Sequence, residues 1–273
     1  MSVPQETKPR PAASQPAGAR FTTRLAGASG RTLHVDGHWR PVIGLGEGAL
    51  RGHILHLDVR EDLSAMSARA VDLATLNTVD LERIDLVAAE HGLAVLPTSD
   101  SDGQPPLAFL GAAWSTARAP RARRKLLQLA ASAQVRLRTL PVCEIHGLEA
   151  GTPSSAVRET AGLLQPIFRG VLARISPKRI RLAGLVDCGL TGAAVEAGDM
   201  AEAADGEATL RAVLSLQRIG PSVMLHSLRS VAALTAARAA GARWASLDLV
   251  RSGWHVAHAA IAALSEEPAA VQT

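Results

Sequence analysis

The sequence predicts a parallel α/β fold, and in particular a closed (β/α) barrel. Short β-type runs alternate with helix-length stretches over most of the chain, and eight such runs follow one another in series. Most are joined by connections long enough to hold a crossover helix. An open doubly wound sheet satisfies the same alternation, so the pattern alone leaves it standing. No internal repeat of fixed period occurs.

The first strand is expected at Arg40–Leu45 and, after a glycine-containing turn, the second at Leu50–Val59. Helices are expected near 61–76 and 79–91; in the latter, Leu81, Ile84, Val87 and Ala88 recur at helical spacing and Gly92 reads as a stop. Residues 98–106 are a loop by composition. Strand 107–112 then precedes an arginine-rich helix near 118–132, and strand 140–145 precedes a helix near 154–167 announced by Thr152-Pro153-Ser154-Ser155. Strands at 170–175 and 192–196, a helix near 207–218, strand 222–225, helix 228–240 and strand 244–249 complete the series.

The ends read differently. Residues 1–32 are rich in Pro, Ala, Ser, Gly, Lys and Arg without apolar period and are expected to be a disordered, mildly basic leader. A single domain is expected over 33–265, with 266–273 a frayed tail.

A chain of 273 residues can bury a substantial core. Mean hydropathy is +0.13, and charged residues or histidine interrupt every apolar run before the roughly 18 residues a membrane span requires. The start lacks the apolar segment of a secretory signal. Cys143 and Cys188 make neither a disulfide framework nor a zinc spacing, which suits a reducing cytoplasm. The net charge of +4 is modest, and with no Tyr and three Phe the chain has few platforms for stacking bases, so nucleic-acid binding is disfavoured.

The segment Arg40-Pro-Val-Ile-Gly-Leu-Gly-Glu-Gly48-Ala-Leu-Arg-Gly52 resembles the opening of the EAL domains of cyclic-di-GMP phosphodiesterases. Val142-Cys-Glu-Ile145 is similar to that family's Leu-Glu-Ile-Thr-Glu strand. The stretch from Val223 to Gly241 is similar to its strand, Ala-Glu-Gly-Val-Glu motif and following helix. The resemblance spans about residues 38–253 and implies an EAL-type TIM-like barrel. It also implies which positions would hold the family's metals and activate water. There the chain has Ile54 for the signature Glu, Ala113 for an Asn, Glu144 for a retained acid, and Ala173 and Arg174 for an Asp pair. Ala194 stands for a Lys, Glu196 for an Asp, and His226 and Arg229 for two acids.

Two-metal phosphodiester cleavage needs hard oxygen ligands gathered at the C-terminal mouth of the barrel. On this register only Glu144 and Glu196 remain acidic, so the expectation is no phosphodiesterase activity, no metal and no cofactor. Arg174 and Arg229 could instead contact the phosphates of cyclic-di-GMP; the plainer alternative pairs them with Glu144 or Glu196.

Other constellations invite sharper readings than they support. His53 and His56 with Asp58 imitate a metal cluster, but the two histidines lie three apart on a strand and so face opposite ways, which predicts one surface and one mouth-facing histidine and no shared ion. His56 and His226 could still meet Glu144 as an N,O metal site. Gly44-Leu-Gly-Glu-Gly48 lacks the helix and Gly-Lys-Ser/Thr ending of a phosphate loop and reads as a tight turn. The run Arg118–Lys125 reads as the solvated start of a helix; a contact with an acidic partner, RNA or a membrane surface is the alternative, the acidic partner favoured since cations oppose the dipole there. Ser252-Gly-Trp-His255 shows no base-and-orienter arrangement.

The expectation is therefore an inactive EAL-like regulatory module that acts in bacterial signalling through a protein partner, with self-association into a dimer compatible with the resemblance. A metal-independent cyclic-di-GMP receptor, or a barrel enzyme unrelated to this family, are the alternatives.

Overall fold

The computed structural model describes residues 19–28, 30–64, 67–99, 104–176, 182–199, 206–228 and 230–247. Its strands are β1 (Arg20–Ala26), β2 (Thr32–Gly44), β3 (Ala49–Ser64), β4 (Ser67–Ala70), β5 (Leu107–Ala113), β6 (Val142–His146), β7 (Gly170–Arg174), β8 (Gly192–Glu196), β9 (Ser222–Leu228) and β10 (Trp244–Leu247). Its α-helices are α1 (Thr78–Val95), α2 (Trp114–Arg118), α3 (Pro120–Leu137), α4 (Ser154–Leu164), α5 (Gly206–Gln217) and α6 (Val231–Ala239).

Eight of these strands close a barrel. β3, β5, β6, β7, β8, β9 and β10 pair in parallel in that order, and β2 closes the ring by pairing antiparallel with both β10 and β3. The closed barrel expected from the alternation is thus the one that forms, with one strand reversed. The reversal follows from the connection: β2 and β3 are joined by a hairpin turn at Leu45–Gly48, where Gly48 has φ 61°, and not by a crossover helix. The Gly44–Gly48 segment is accordingly the tight turn it was read to be.

The barrel interior is plugged by one apolar side chain from each strand: Val42, Ile54, Phe109, Val142, Leu172, Ala194, Met224 and Trp244. Phe109 and Trp244 meet edge to face at 5.3 Å. Alternate residues point outward, among them Leu110, Ile145, Val171, Val195 and Leu225, and build the larger core beneath the helices. Arg136 of α3 donates to the carbonyls of Leu93 and Leu96, satisfying the C-terminal end of α1.

β2 and β3 are longer than the barrel needs. β3 pairs with β5 only over Gly52–Ile54, and its remainder stays paired with β2 as far as Leu33↔Glu61. Because β3 runs parallel to β5, this ribbon projects from the C-terminal mouth. β1 and β4 flank it to make an antiparallel wall. Strict alternation along β2 sends Leu33, Val35 and Trp39 to the side covered by α1 and its approach, where they join Val59, Leu76 and Ile84 or, for Trp39, donate from Nε1 to Gly92 O at 2.9 Å. The even-numbered residues of β2 continue the inner face of the barrel upward.

Several expectations need correction. The leader does not reach residue 32: Arg20–Ala26 is a strand, paired with β2 from Arg20↔His38 to Ala26↔Thr32. The strand expected at 40–45 is only the end of β2. The helix expected at 61–76 is instead the end of β3, β4 and a single 3-10 turn at Leu73–Thr75. Its Glu, Leu, Met and Ala content favours helix locally, but pairing with the ribbon overrides propensity. Gly92 does not end α1, which runs to Val95. A Cβ at Gly92 would meet Leu55 at 2.7 Å, so the glycine lets α1 sit close on the ribbon. The helix expected at 118–132 breaks at Ala119 into α2 and α3 and continues to Leu137, and α6 starts at Val231, not 228. Residues 1–18, the tail 266–273, Ser252–His255 and Arg229 lie outside the described residues.

Candidate functional site

The inward face of the barrel turns from apolar to polar within one step along β6, β7, β8, β9 and β10. Above the plug, β6 presents Glu144 and His146, β7 presents Arg174, β8 presents Glu196, β9 presents His226 and β10 presents Ser246. Two residues on, a side chain keeps its face, so the period that fills the plug also delivers these groups to the mouth.

Two ionic pairs stand there. Arg174 is bonded to Glu196, both half-buried. Deeper, Glu144 and His226 are almost wholly enclosed, at 1% and 2% exposure, with His226 Nε2 3.1 Å from Glu144 Oε2. The other ring nitrogen, Nδ1, lies 3.4 Å from Ser246 Oγ, which also accepts from the Ser227 N–H at 3.2 Å. Ser227 adopts a left-handed backbone, φ 59°, and this hydrogen bond helps hold it there. Burial works to raise the Glu144 carboxyl. The charge and hydrogen bond of His226, with Arg174 and His146 behind it, outweigh burial and hold it below the ordinary carboxylate range. Glu144 Oε1 has no hydrogen-bond partner among the described residues.

Beside β6, Asp85 of α1 is buried and accepts from the Ala113 N–H at 2.7 Å and from Thr116 Oγ at 2.5 Å. It thereby caps α2, which has no side-chain cap of its own. His146 Nε2 approaches its other oxygen at 3.9 Å.

The wall above the mouth carries a ladder of polar cross-strand pairs on the same inward face. His38 lies opposite His56 and Asp36 opposite Asp58, with Arg40 opposite Ile54. The two rings are 5.0 Å apart, His38 Nδ1 is 3.9 Å from Asp58 and His56 Nε2 is 3.6 Å from it. Arg40 Nε donates to His38 Nε2 at 3.1 Å. Desolvation, followed by the nearby Arg40, keeps both rings from protonating readily, and pushes His56 down to about 4.

The residues singled out from the sequence are therefore distributed over two levels. Ile54 and Ala194 belong to the plug. Glu144, Arg174, Glu196 and His226 gather at the mouth. Ala113 is at the end of β5, and Ala173 points outward into the core beneath the helices. Arg174 pairs with Glu196, the plainer of the two roles foreseen. His53 and His56 do face opposite sides, but His53 is buried, not on the surface. His56 does not join His226 and Glu144; its neighbours are His38 and Asp58. In the basic run, Arg123 donates to the carbonyls of Ala117 and Arg118 and so closes α2, while Arg118, Arg121, Arg124 and Lys125 are exposed.

Sequence reading missed Asp85, Ser246, His38 and Arg40, and it placed Asp58 beside His56 without finding the partner His38. A signal existed for some. Asp85 stands four residues after Leu81 on the apolar stripe of α1, and the alternation of Leu33, Val35, Gly37 and Trp39 with His34, Asp36, His38 and Arg40 marks a half-buried strand. Nothing local marks Ser246.

A parallel barrel with one reversed strand and charged side chains at the C-terminal ends of its strands defines the class as a (β/α) barrel with a mouth-side site. The particular barrel is the EAL-domain fold. No protein-family model and no curated protein matches the chain. Among solved structures it is similar to an EAL domain protein from Listeria monocytogenes, at 11% identity and TM-score 0.55, over 76% of this chain and 83% of that one. It is also similar to the Xanthomonas citri FimX EAL domain in complex with c-di-GMP, at 13% identity and TM-score 0.56, over 80% and 87%. The Bacillus subtilis YkuI protein, with an EAL domain and bound to substrate c-di-GMP and calcium, matches at 12% identity and TM-score 0.57 over 77% of this chain, which spans about half (53%) of that one. No described helix is long and apolar enough to cross a membrane.

Proposed function

We propose that this chain is a non-catalytic EAL-type module of bacterial signalling that acts through contact with another protein and does not hydrolyse cyclic-di-GMP. The observation that carries the reading is the Arg174–Glu196 pair: a guanidinium occupies the mouth and takes up one of the few acids there among the described residues. Among the described residues, the other acids there are engaged as well, Glu144 through one oxygen by His226 and Asp85 by the end of α2. A pair of hard divalent cations requires several free oxygen ligands around each ion. The donors at this mouth, flanked by Arg174, His146 and His226, do not fit that requirement, and no hydrolytic step is assigned to them. Exposed apolar side chains on the outer helices, Leu210 and Leu214 one turn apart on α5 and Val135 on α3, suit a protein contact.

With Mg²⁺ or Mn²⁺ present, the purified protein is expected to leave cyclic-di-GMP intact over hours, as followed by chromatography. Linear product formed in proportion to enzyme would overturn the proposal. Calorimetry with cyclic-di-GMP in the presence of a chelator separates the second reading: micromolar binding without metal would make the module a receptor, with Arg40 and Arg174 the candidate phosphate contacts.

A further inference from the structure

We infer that His38, His56 and Asp58 form a binding site for a single divalent transition-metal ion of the zinc type, placed on the wall above the barrel mouth. The reading does not depend on whether the module handles cyclic-di-GMP. Each of the three residues offers one donor atom, and these atoms lie within 4.8 Å of one another. It is the one such group among the described residues.

The strand geometry makes the convergence a property of the fold. His38 and His56 are directly opposed on antiparallel strands, and Asp58 follows His56 by two residues on the same face. Ligand atoms held about 2.0–2.1 Å from a tetrahedral zinc lie about 3.4 Å apart. His56 Nε2 lies 3.6 Å from one Asp58 oxygen and His38 Nδ1 3.9 Å from the other, and with all three donor atoms within 4.8 Å of one another, rotation of the carboxylate and a contraction of at most about 1.4 Å close the set around one ion. Asp58 is exposed and both histidines are half-buried, so the carboxylate is free to swing and the rings are already held. Two imidazole nitrogens with one carboxylate suit zinc, cobalt or nickel and not magnesium or calcium. Three protein ligands also leave a fourth position open, on the face that continues the barrel interior.

Arg40 opposes the ion and makes the inference specific. Because its Nε donates to His38 Nε2, the neutral ring carries its proton on Nδ1, the nitrogen that faces Asp58. Metal binding through Nδ1 moves that proton to Nε2 within the same ring, and Arg40 must turn away. Removing Arg40 should accordingly favour the metal, whereas a merely structural hydrogen bond between Arg40 and His38 has no such consequence.

The test is titration of the metal-free protein with Co²⁺, followed by the visible absorption of low-coordinate cobalt. One equivalent is expected to bind, to be displaced by Zn²⁺ and to be indifferent to Mg²⁺. His38→Ala and His56→Ala should each abolish the signal while far-ultraviolet circular dichroism is unchanged. Asp58→Asn should weaken binding by more than the roughly 10–100-fold that loss of an outer-shell partner costs. Arg40→Leu should strengthen it. His34→Gln, which removes the other His–Asp pair on this face, should leave it as it was. Absence of stoichiometric binding, persistence in both alanine variants, or weakening in Arg40→Leu would overturn the site.

Discussion

Gly192→Ala is expected to cost about 4 kcal/mol or more, in the range reserved for substitutions that break a core. Gly192 opens β8 at an inward position, directly beside Ser222 of β9, and a Cβ there would lie 1.7 Å from the Ser222 carbonyl oxygen and 2.5 Å from its carbon. Both are backbone atoms in a closed ring of strands, so no side-chain rotation relieves the overlap; two neighbours in the barrel must separate. Gly52 presents the same problem on β3, where a Cβ would be 2.2 Å from Leu107 O. Folded domains are stable by only about 5–15 kcal/mol, so Gly192→Ala should lose a large share of the protein's stability. The comparison is Gly162→Ala, inside α4 with nothing within 4 Å of the added methyl, which should gain about 0.5–1 kcal/mol from helix propensity. Urea melts of the two variants are expected to move in opposite directions. A Gly192→Ala midpoint equal to that of the parent would refute the argument from close approach.

These glycines also mark what sequence could and could not reveal. The barrel was legible because its elements are regular: Gly192–Glu196 was delimited to the residue, and the starts at Leu107, Gly170, Ser222 and Trp244 coincide with the observed ones. Apolar runs of that kind report burial on both faces, which is a local property. The wall was not legible as a wall. Its strands were partly assigned to a leader and a helix, because Arg20–Ala26 and Ser67–Ala70 earn their structure only by pairing with β2 and β3, partners remote in sequence. The misreading had a functional cost: with the wall unrecognised, His38, Arg40 and Asp58 had no face to share.

The mouth shows the same division. That Glu144 and Glu196 would be the acids near the strand ends, and that Arg174 would be paired with one of them, could be argued from residue type and the family resemblance. That His226 would meet Glu144 was expected only as part of a metal site with His56; that the two, 82 residues apart, would be sealed together as a pair without His56 and with Ser246 behind the ring was not legible. A buried charge pair leaves no periodic trace, since each member occupies a strand position that an apolar residue would fill as well. The module nevertheless depends on both members being present, and that dependence can be measured.

His226→Leu is expected to destabilise the protein by about 3–5 kcal/mol, because it strands an ionised carboxylate in the barrel. Glu144 Oε2 would lose its close partner, and Oε1 already has none among the described residues. The double variant Glu144→Leu with His226→Leu removes the charge as well. It should recover most of the loss, since a buried pair replaced by apolar groups is often neutral in stability. The pH dependence should also reverse. In the parent, the Glu144 carboxyl titrates below its ordinary value of 4.5, so its stabilising contribution is present above pH 4.5 and is lost as the pH falls through the lower native value. In His226→Leu the carboxyl is buried without its partner and titrates above that value. Its contribution is then fully present below pH 4.5 and lost as the pH rises through the raised native value. Urea melts of both proteins at pH 7 and pH 5 should therefore converge on acidification, the gap narrowing as the stranded carboxylate takes up a proton. A gap that is the same at both pH values would mean that Glu144 is not an ionised group held by His226, and that the mouth is organised by some other contact.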